Sequence, residues 1–376
     1  MEQRMSIVIA GDFSLQGRLA KCHDKDVLRY VMGGAICCKA TDYSIVNFES
    51  PITSNSKKLL KDGPTLKNPV ESLSVLRDLG FNVVTLANNH LKDYGCQGVL
   101  DTLHSCRENG LFTVGAGENQ LEARKPLVLK KDGLSVGILN VCEHESSIAT
   151  DSSAGAAPLE LGNLFYDLKE LRKEVDKVMV IIHGGCEHYQ LPTPRMKRDY
   201  HLIVDFGADI IVNHHQHCYS GYEIYNGKPI FYGLGNFFFD NPRKRHDKWN
   251  EGLLLKLDVS KDDIHYELIP YNQCDNDPVI KIREYDDVKA EIEELSSIIA
   301  DDKQLNERFD QLVASKKPLY PLLPYGNHYL RALYARGYLP DGMTTKRKVK
   351  IENSISCETH REVLLRFFNN MLQHES

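Results

Sequence analysis

Seven short apolar runs rich in β-branched residues, at 6–10, 43–46, 83–86, 136–141, 178–182, 210–212 and 229–232, limit what this chain can fold into more than any other feature. Runs of this length suit buried strands better than helices. Between them, 70–79 and 99–107 carry apolar residues at helical spacing, and the helix-ending glycines Gly80 and Gly110 follow. Strands alternating with helices predict a layered α/β fold. Asp132-Gly133 and Asn226-Gly227 fall between apolar runs and read as hairpin turns. Strands within 252–270 would complete the sheets.

Beyond Pro270 the pattern changes. Val288, Ile292, Leu295 and Ile299 repeat at helical spacing, followed by Leu305, Phe309 and Leu312. The expected division is an α/β domain over 1–270 and a mainly helical extension over 271–376. A proline-rich link at 318–324 and a basic stretch at 346–350 precede a last helix, which Thr359 and Glu362 would open as a capping box. That helix carries an apolar stripe of Val363, Leu364, Phe367, Phe368, Met371 and Leu372, which packing onto the main body would cover.

Composition narrows the partners. The 376 residues include 46 basic and 52 acidic side chains, a formal net charge of −6. There is no basic surplus to attract nucleic acid or an anionic membrane, so neither is expected as a partner. A small polar substrate fits better. The first residues leave no room for a signal peptide, and no run approaches the roughly 18 apolar residues of a membrane span. Ten cysteines in such a chain read as reduced thiols, none in a C-x-x-C pair, and a cytoplasmic location is expected. Adjacent Cys37 and Cys38 read as packing.

The strand ends carry the chemistry. They read Gly11-Asp12, Asn47-Phe48-Glu49, Asn88-Asn89-His90, His183-Gly184-Gly185 and Asn213-His214-His215-Gln216-His217. Singly, each is explained by turn formation. Five together, three with histidine, exceed what turns require, and carboxylate, amide and imidazole groups brought together at strand ends suit a divalent metal. In an extended chain His215 and His217 would face the same side and His214 the other, as a packing or supporting histidine.

Several of these segments resemble a known family. They are Asn47-Phe48-Glu49-Ser50-Pro51, Thr85-Leu86-Ala87-Asn88-Asn89-His90-Leu91-Lys92-Asp93-Tyr94-Gly95, Gly115-Ala116-Gly117, Ile182-His183-Gly184-Gly185-Cys186-Glu187-His188-Tyr189 and Tyr232-Gly233-Leu234-Gly235-Asn236-Phe237. Together they are similar to the CapA family of capsule and poly-γ-glutamate biosynthesis proteins, related to calcineurin-like metallophosphoesterases. The resemblance covers about residues 5–260. It implies a four-layer α/β/β/α metallophosphoesterase-like sandwich with a dinuclear centre of Mn, Fe, Zn or Ni between two sheets. Asp12 and His217 would hold the first metal, Glu49 would bridge, and Asn89, His183 and His215 would hold the second. His90 would be the catalytic general acid, an imidazolium that protonates the leaving alkoxide.

Two departures from the wider phosphoesterase pattern stand out. Phe13 and Ser14 follow Asp12 where Asp-x-His is usual, and Glu49 stands where an Asp usually bridges. Both look like the CapA pattern. Glu187, Tyr189 and Asp93 read as supports for the ligands, and Asn236 as a tie for its loop. Arg195, Lys197 and Arg198 read as a solvated helix face, and Lys244, Arg245 and His246 as part of a mobile loop, with an anionic-substrate patch as the alternative for each. The expected function is a metal-dependent phosphoesterase acting on a phosphorylated small molecule or saccharide, an anionic substrate. The alternatives are a non-catalytic polymer-binding or assembly accessory protein and a metal-dependent γ-glutamyl amide hydrolase. The sequence assigns no oligomeric state.

Overall fold

The computed structural model describes residues 3–315 and 344–375, together with Tyr329, Ala332, Leu333, Arg336 and Tyr338. The proline-rich run at 318–324 and the side chains of Cys37, Met371 and Leu372 lie outside the described residues. In chain order the elements are β1 (Met5–Ser14), α1 (Lys25–Met32), β2 (Tyr43–Phe48), α2 (Glu71–Asp78), β3 (Val83–Thr85), α3 (Gly95–Glu108) and β4 (Phe112–Val114). Next come β5 (Ala116–Gly117), α4 (Gln120–Ala123), β6 (Leu127–Lys131), β7 (Leu134–Cys142), β8 (Gly155–Ala156), α5 (Leu161–Leu171), β9 (Lys177–His183), α6 (Pro194–Asp205) and β10 (Ile210–His214). β11 (Tyr222–Tyr225), β12 (Lys228–Phe231), β13 (Asn236–Phe239), β14 (Glu251–Val259), β15 (Ile264–Gln273) and β16 (Ile280–Ile282) complete the strands. The chain then forms α7 (Asp286–Ala300), α8 (Asp302–Ser315), α9 (Thr345–Ser356) and α10 (Glu358–Glu375).

One sheet runs β16-β15-β14-β1-β2-β3-β4, with β13 also paired to β1; the other runs β11-β12-β10-β9-β7-β6. Side chains of β1 alternate between two cores. Ile7 and Ile9 meet Ile138 and Val180 of the second sheet, whereas Val8 and Ala10 turn to Leu28, Leu76 and Val99 of the first three helices. The inner core continues past the second sheet to Leu168 of α5, Ile203 of α6 and Ile292 of α7. Helix, sheet, sheet and helix therefore stack in four layers, as expected. A buried Ile or Val contributes roughly 1.5–3 kcal/mol, against about 0–1 for an exposed ion pair such as Lys256–Glu267, so the cores hold the layers together.

Both expected hairpin turns form, between β6 and β7 and between β11 and β12, with φ of 48° and 82° at Asp132-Gly133 and 49° and 75° at Asn226-Gly227. The first sheet extends past the expected strands, since β15 ends at Gln273 and β16 adds a further edge strand. In α8 the buried residues are Leu305, Phe309 and Val313, so Val313 rather than Leu312 continues the stripe. Among the described residues no helix is long and apolar enough to cross a membrane, and the described cysteines are all free thiols.

The expected capping box does not form. Thr359 lies inside α10, and its buried hydroxyl donates to Glu143 Oε1 at 2.8 Å. Glu362 reaches the start of α6 instead, accepting from the Arg195 amide at 3.0 Å and from the Thr193 hydroxyl. Its carboxylate thus takes up the Arg195 amide in the first turn of α6, which has no partner within the helix. On the apolar stripe of α10, Val363, Leu364 and Phe367 are half-buried, while Phe368 is exposed.

Candidate metal centre

Parallel pairing brings the functional strand ends to one edge. Asp12 lies opposite Asn47 and Asn47 opposite Thr85 in the first sheet, and His183 lies between Cys142 and His214 in the second. β1 changes partners on the way, from β14 through Ile9 to β13 from Asp12 onward. Gly11 permits that exchange, because a Cβ there would lie 1.8 Å from the Gly235 carbonyl oxygen. The Asp12 amide then donates to that same carbonyl at 3.1 Å.

Six of the seven residues expected at the centre meet in two overlapping groups. Ligand-capable atoms of Asp12, Glu49 and His217 lie within 4.8 Å of one another, as do those of Glu49, His183 and His215. Asn89 joins the second group, its Oδ1 3.1 Å from His183 Nε2, which is also 3.0 Å from His215 Nδ1. Glu49 Oε1 is 3.6 Å from His183 Nε2 and 3.8 Å from His217 Nε2, so it lies between the groups. His90 stands beside them, with Nδ1 2.7 Å from Asp93 Oδ2.

His215 and His217 do not converge by strand alternation. β10 ends at His214, and the two histidines take φ of 90° and 57°, the left-handed region that non-glycine residues rarely occupy. Together with His188 at 62°, they concentrate backbone strain at the centre. His214 also departs from expectation. Both its ring nitrogens are buried without a hydrogen bond, and Nδ1 faces Asp12 Oδ1 at 3.7 Å.

The electrostatics fit a cation. Neither oxygen of the fully buried Glu49 receives a hydrogen bond. A charged carboxylate in that state costs several kcal/mol on the order of magnitude, unless a proton or a cation compensates. Burial, then the neighbouring Asp12 charge, push the Glu49 pKa well above the carboxylate range. Burial pushes Asp12 up as well, but its bond with His217 and the field of His183 outweigh this and hold it below the usual range. Burial pushes His217 down, yet Glu49 and Asp12 more than offset that and raise it to about 10. The donors are oxygen and imidazole nitrogen, the kind that divalent metals of borderline hardness take.

Supporting contacts fix the rings. Asn236 gives its Nδ2 to the carbonyls of His217 and Trp249, which leaves Oδ1 to accept from His217 Nδ1 at 2.9 Å. Asn47 Nδ2 donates to Asp12 Oδ1 at 2.7 Å and lies 3.1 Å from His183 Nδ1. Asp93 also accepts from the almost fully buried Lys61 at 2.6 Å, and Lys61 donates to the Asn89 carbonyl at 3.2 Å. Burial and then Lys61 lower the His90 pKa, with Asp93 opposing. Glu187 reaches solvent; crowding pushes its carboxyl up, but the fields of His215, His217 and His188 hold it down at about 2.

The proposed surface residues divide. Arg195 is buried against Glu143, Asp199 and Thr359, and Lys197 against the Ile299 carbonyl and Asp302, so neither belongs to a solvated face. Arg198 is exposed. Arg245 is tied to Asp240 and to the carbonyls of Asn241, Lys244 and Cys274. His246 is exposed beside Asp275 and Lys244 pairs with Asp247. Tyr189 has a buried hydroxyl with no hydrogen-bond partner. Sequence reasoning noted Asn47 at a strand end without giving it a role, and missed Lys61 and the run Glu143-His144-Glu145. The last was visible as another polar strand end, following the run at 136–141, whereas Lys61 carries no pattern at all.

Two face-to-face sheets, helices outside them and buried carboxylate, amide and imidazole groups at their edge define a four-layer α/β/β/α sandwich with a candidate metal centre. Within that class, the chain belongs to the family described as bacterial capsule synthesis protein PGA_cap, whose model matches residues 6–241. It is 37% identical over 207 residues to the PGA biosynthesis protein CapA of Bacillus subtilis, covering 54% of each chain. It is 34% identical over 211 residues to the capsule biosynthesis protein CapA of Bacillus anthracis, covering 54% of this chain and 51% of that one. The chain thus spans about half the length of the curated relatives it matches. A solved Staphylococcus aureus structure, described as a candidate 5′-nucleotidase with α-ketoglutarate, aligns at 14% identity and a TM-score of 0.47, over 88% of this chain and 62% of that one.

Proposed function

We propose that this chain is a metal-dependent phosphoesterase acting on a phosphorylated small molecule or saccharide in capsule or poly-γ-glutamate metabolism. One cation would rest on Asp12, Glu49 and His217, and a second on Glu49, Asn89, His183 and His215, within the α/β unit of residues 1–270. Bound cations of the Mn, Fe, Zn or Ni kind supply Lewis acidity toward a phosphoryl oxygen and ease the ionisation of water near neutral pH. The observation that carries this reading is Glu49, a buried carboxylate with both oxygens unpaired between two ligand-capable groups.

The chain's own part in the reaction centres on His90. Its Nδ1–H is engaged by Asp93, which leaves Nε2 as the nitrogen that gives a proton to the leaving alkoxide. Lys61 pairs with Asp93 and donates to the Asn89 carbonyl, so it fixes this ring from behind. An arriving phosphate dianion favours the charged form of His90 that the resting site disfavours. His90→Asn should leave metal content intact and lower turnover of esters with poor leaving groups by about 10²–10⁴. Steady-state phosphate release with Mn²⁺, compared between alkyl and nitrophenyl esters, checks this. A smaller loss for the nitrophenyl ester is expected, and equal losses for both would remove His90 from proton transfer.

A second reading has support in the relatives, which are named for biosynthesis rather than hydrolysis. As an accessory protein the same chain would bind an anionic polymer without cleaving it. As a γ-glutamyl amide hydrolase it would free amines from poly-γ-glutamate. New amino termini without phosphate release favour the hydrolase, and metal-loaded protein inert on both substrates favours the accessory role.

A further inference from the structure

We infer that Glu145 is a positioning residue of the metal centre, one that orients His215, and that the start of α10 holds it in place. This rests on the metal-centre reading above and adds the C-terminal helix to it. His215 turns Nδ1 toward His183 Nε2 at 3.0 Å, inside the group that includes Glu49 and Asn89. Its other ring nitrogen, Nε2, faces Glu145 Oε1 at 3.7 Å, and the Glu145 side chain is only 13% exposed. A ligating imidazole carries one proton, on the nitrogen that does not ligate, and a carboxylate facing that N–H fixes the ring's tautomer and direction. Asn236 already does this for His217. Among the described carboxylates, Glu145 is placed to do it for His215.

Glu145 lies in a tight turn, its amide donating to the Glu143 carbonyl at 2.9 Å. The turn leaves β7 beside the centre, where the Glu143 amide donates to the His183 carbonyl at 3.1 Å. Gly184 makes room, since a Cβ there would lie 2.7 Å from Glu143 Cγ. The rest of the grip comes from the C-terminal segment. Glu143 accepts from the Thr359 hydroxyl at 2.8 Å, from the Thr359 amide at 3.3 Å and from Arg195. Glu358 accepts from the His144 amide at 2.8 Å and pairs with His144 Nδ1 at 2.6 Å. Both residues preceding Glu145 are therefore clamped by residues more than 200 positions later, and the clamp sets where the carboxylate points.

The full-length chain titrated with Co²⁺ tests this, with affinity and the visible absorption of the bound ion as readouts. Glu145→Leu should weaken Co²⁺ binding by about 10–100-fold and shift the absorption band. Glu145→Gln keeps an acceptor oxygen and should recover most of the affinity. Glu358→Ala should weaken binding in the same direction, and should add nothing in the Glu145→Leu background. The metal-free melting temperature of each variant separates these effects from loss of fold. Unchanged affinity and spectrum in Glu145→Leu would overturn the inference, as would Gln failing as badly as Leu, or Glu358→Ala acting equally with and without Glu145. A wild-type chain that binds no Co²⁺ would instead remove the metal-centre reading itself.

Discussion

Glu49 and His217 show how single residues anticipate a cation. Without one, a proton must stand in, and a His217 pKa raised to about 10 favours the charged ring with both nitrogens protonated at pH 7. A metal that takes His217 must displace that proton, so binding should release protons and tighten as pH rises from 7 toward 10. Calorimetry of Mn²⁺ binding at pH 7, in buffers of different ionisation enthalpy, should register net proton release. Binding without release would mean that His217 is not displaced and is not a ligand. These residues were legible because each follows closely on a strand and offers a donor metals prefer. Lys61 was not, since its importance comes from a loop folding back over Asn89 and Asp93, and no spacing in the sequence records that contact. The lowered pKa of His90 was equally hidden, because burial and Lys61 cause it against the opposing effect of Asp93.

At the scale of elements, the C-terminal helix was read correctly as a helix and wrongly as a self-capped one. Thr359 and Glu362 have the right spacing for a capping box, but the same polarity serves a tertiary contact, and here Glu143 and the start of α6 take both side chains. That contact carries a pH dependence. Hydrogen bonding to Glu358 raises the His144 pKa above 6.5, against the opposing effect of burial. A raised folded-state pKa contributes stability that is fully present below the unfolded value and lost as pH rises through the folded one. The melting temperature of wild type should therefore exceed that of His144→Asn most at about pH 6, with the gap narrowing as pH rises through the raised His144 pKa. Thermal denaturation across that range checks this, and a gap that widens with pH would show that His144 is not charged in the clamp.

For the whole molecule, alternation of strands and helices was enough to give the layered α/β class, and Asp-Gly and Asn-Gly turns marked the β6–β7 and β11–β12 hairpins. The division into two sheets was not legible from the pattern alone. Ile7 and Ile9 enter one core and Val8 and Ala10 the other, so residues 7–10 of β1 are all apolar and give no sign of which neighbour each faces. The change of partner at Gly11 was hidden too, because the need for glycine arises from the Gly235 backbone, more than 200 residues away. These long-range pairings put Glu49 between two ligand-capable groups, the arrangement proposed above to hold a pair of cations. Electron paramagnetic resonance of the Mn²⁺-loaded chain, with metal content measured on the same sample, tests it most directly. Two ions per chain with an exchange-coupled signal, lost in Glu49→Gln, are predicted; one uncoupled ion, or a coupled pair unaffected by Glu49→Gln, would contradict it.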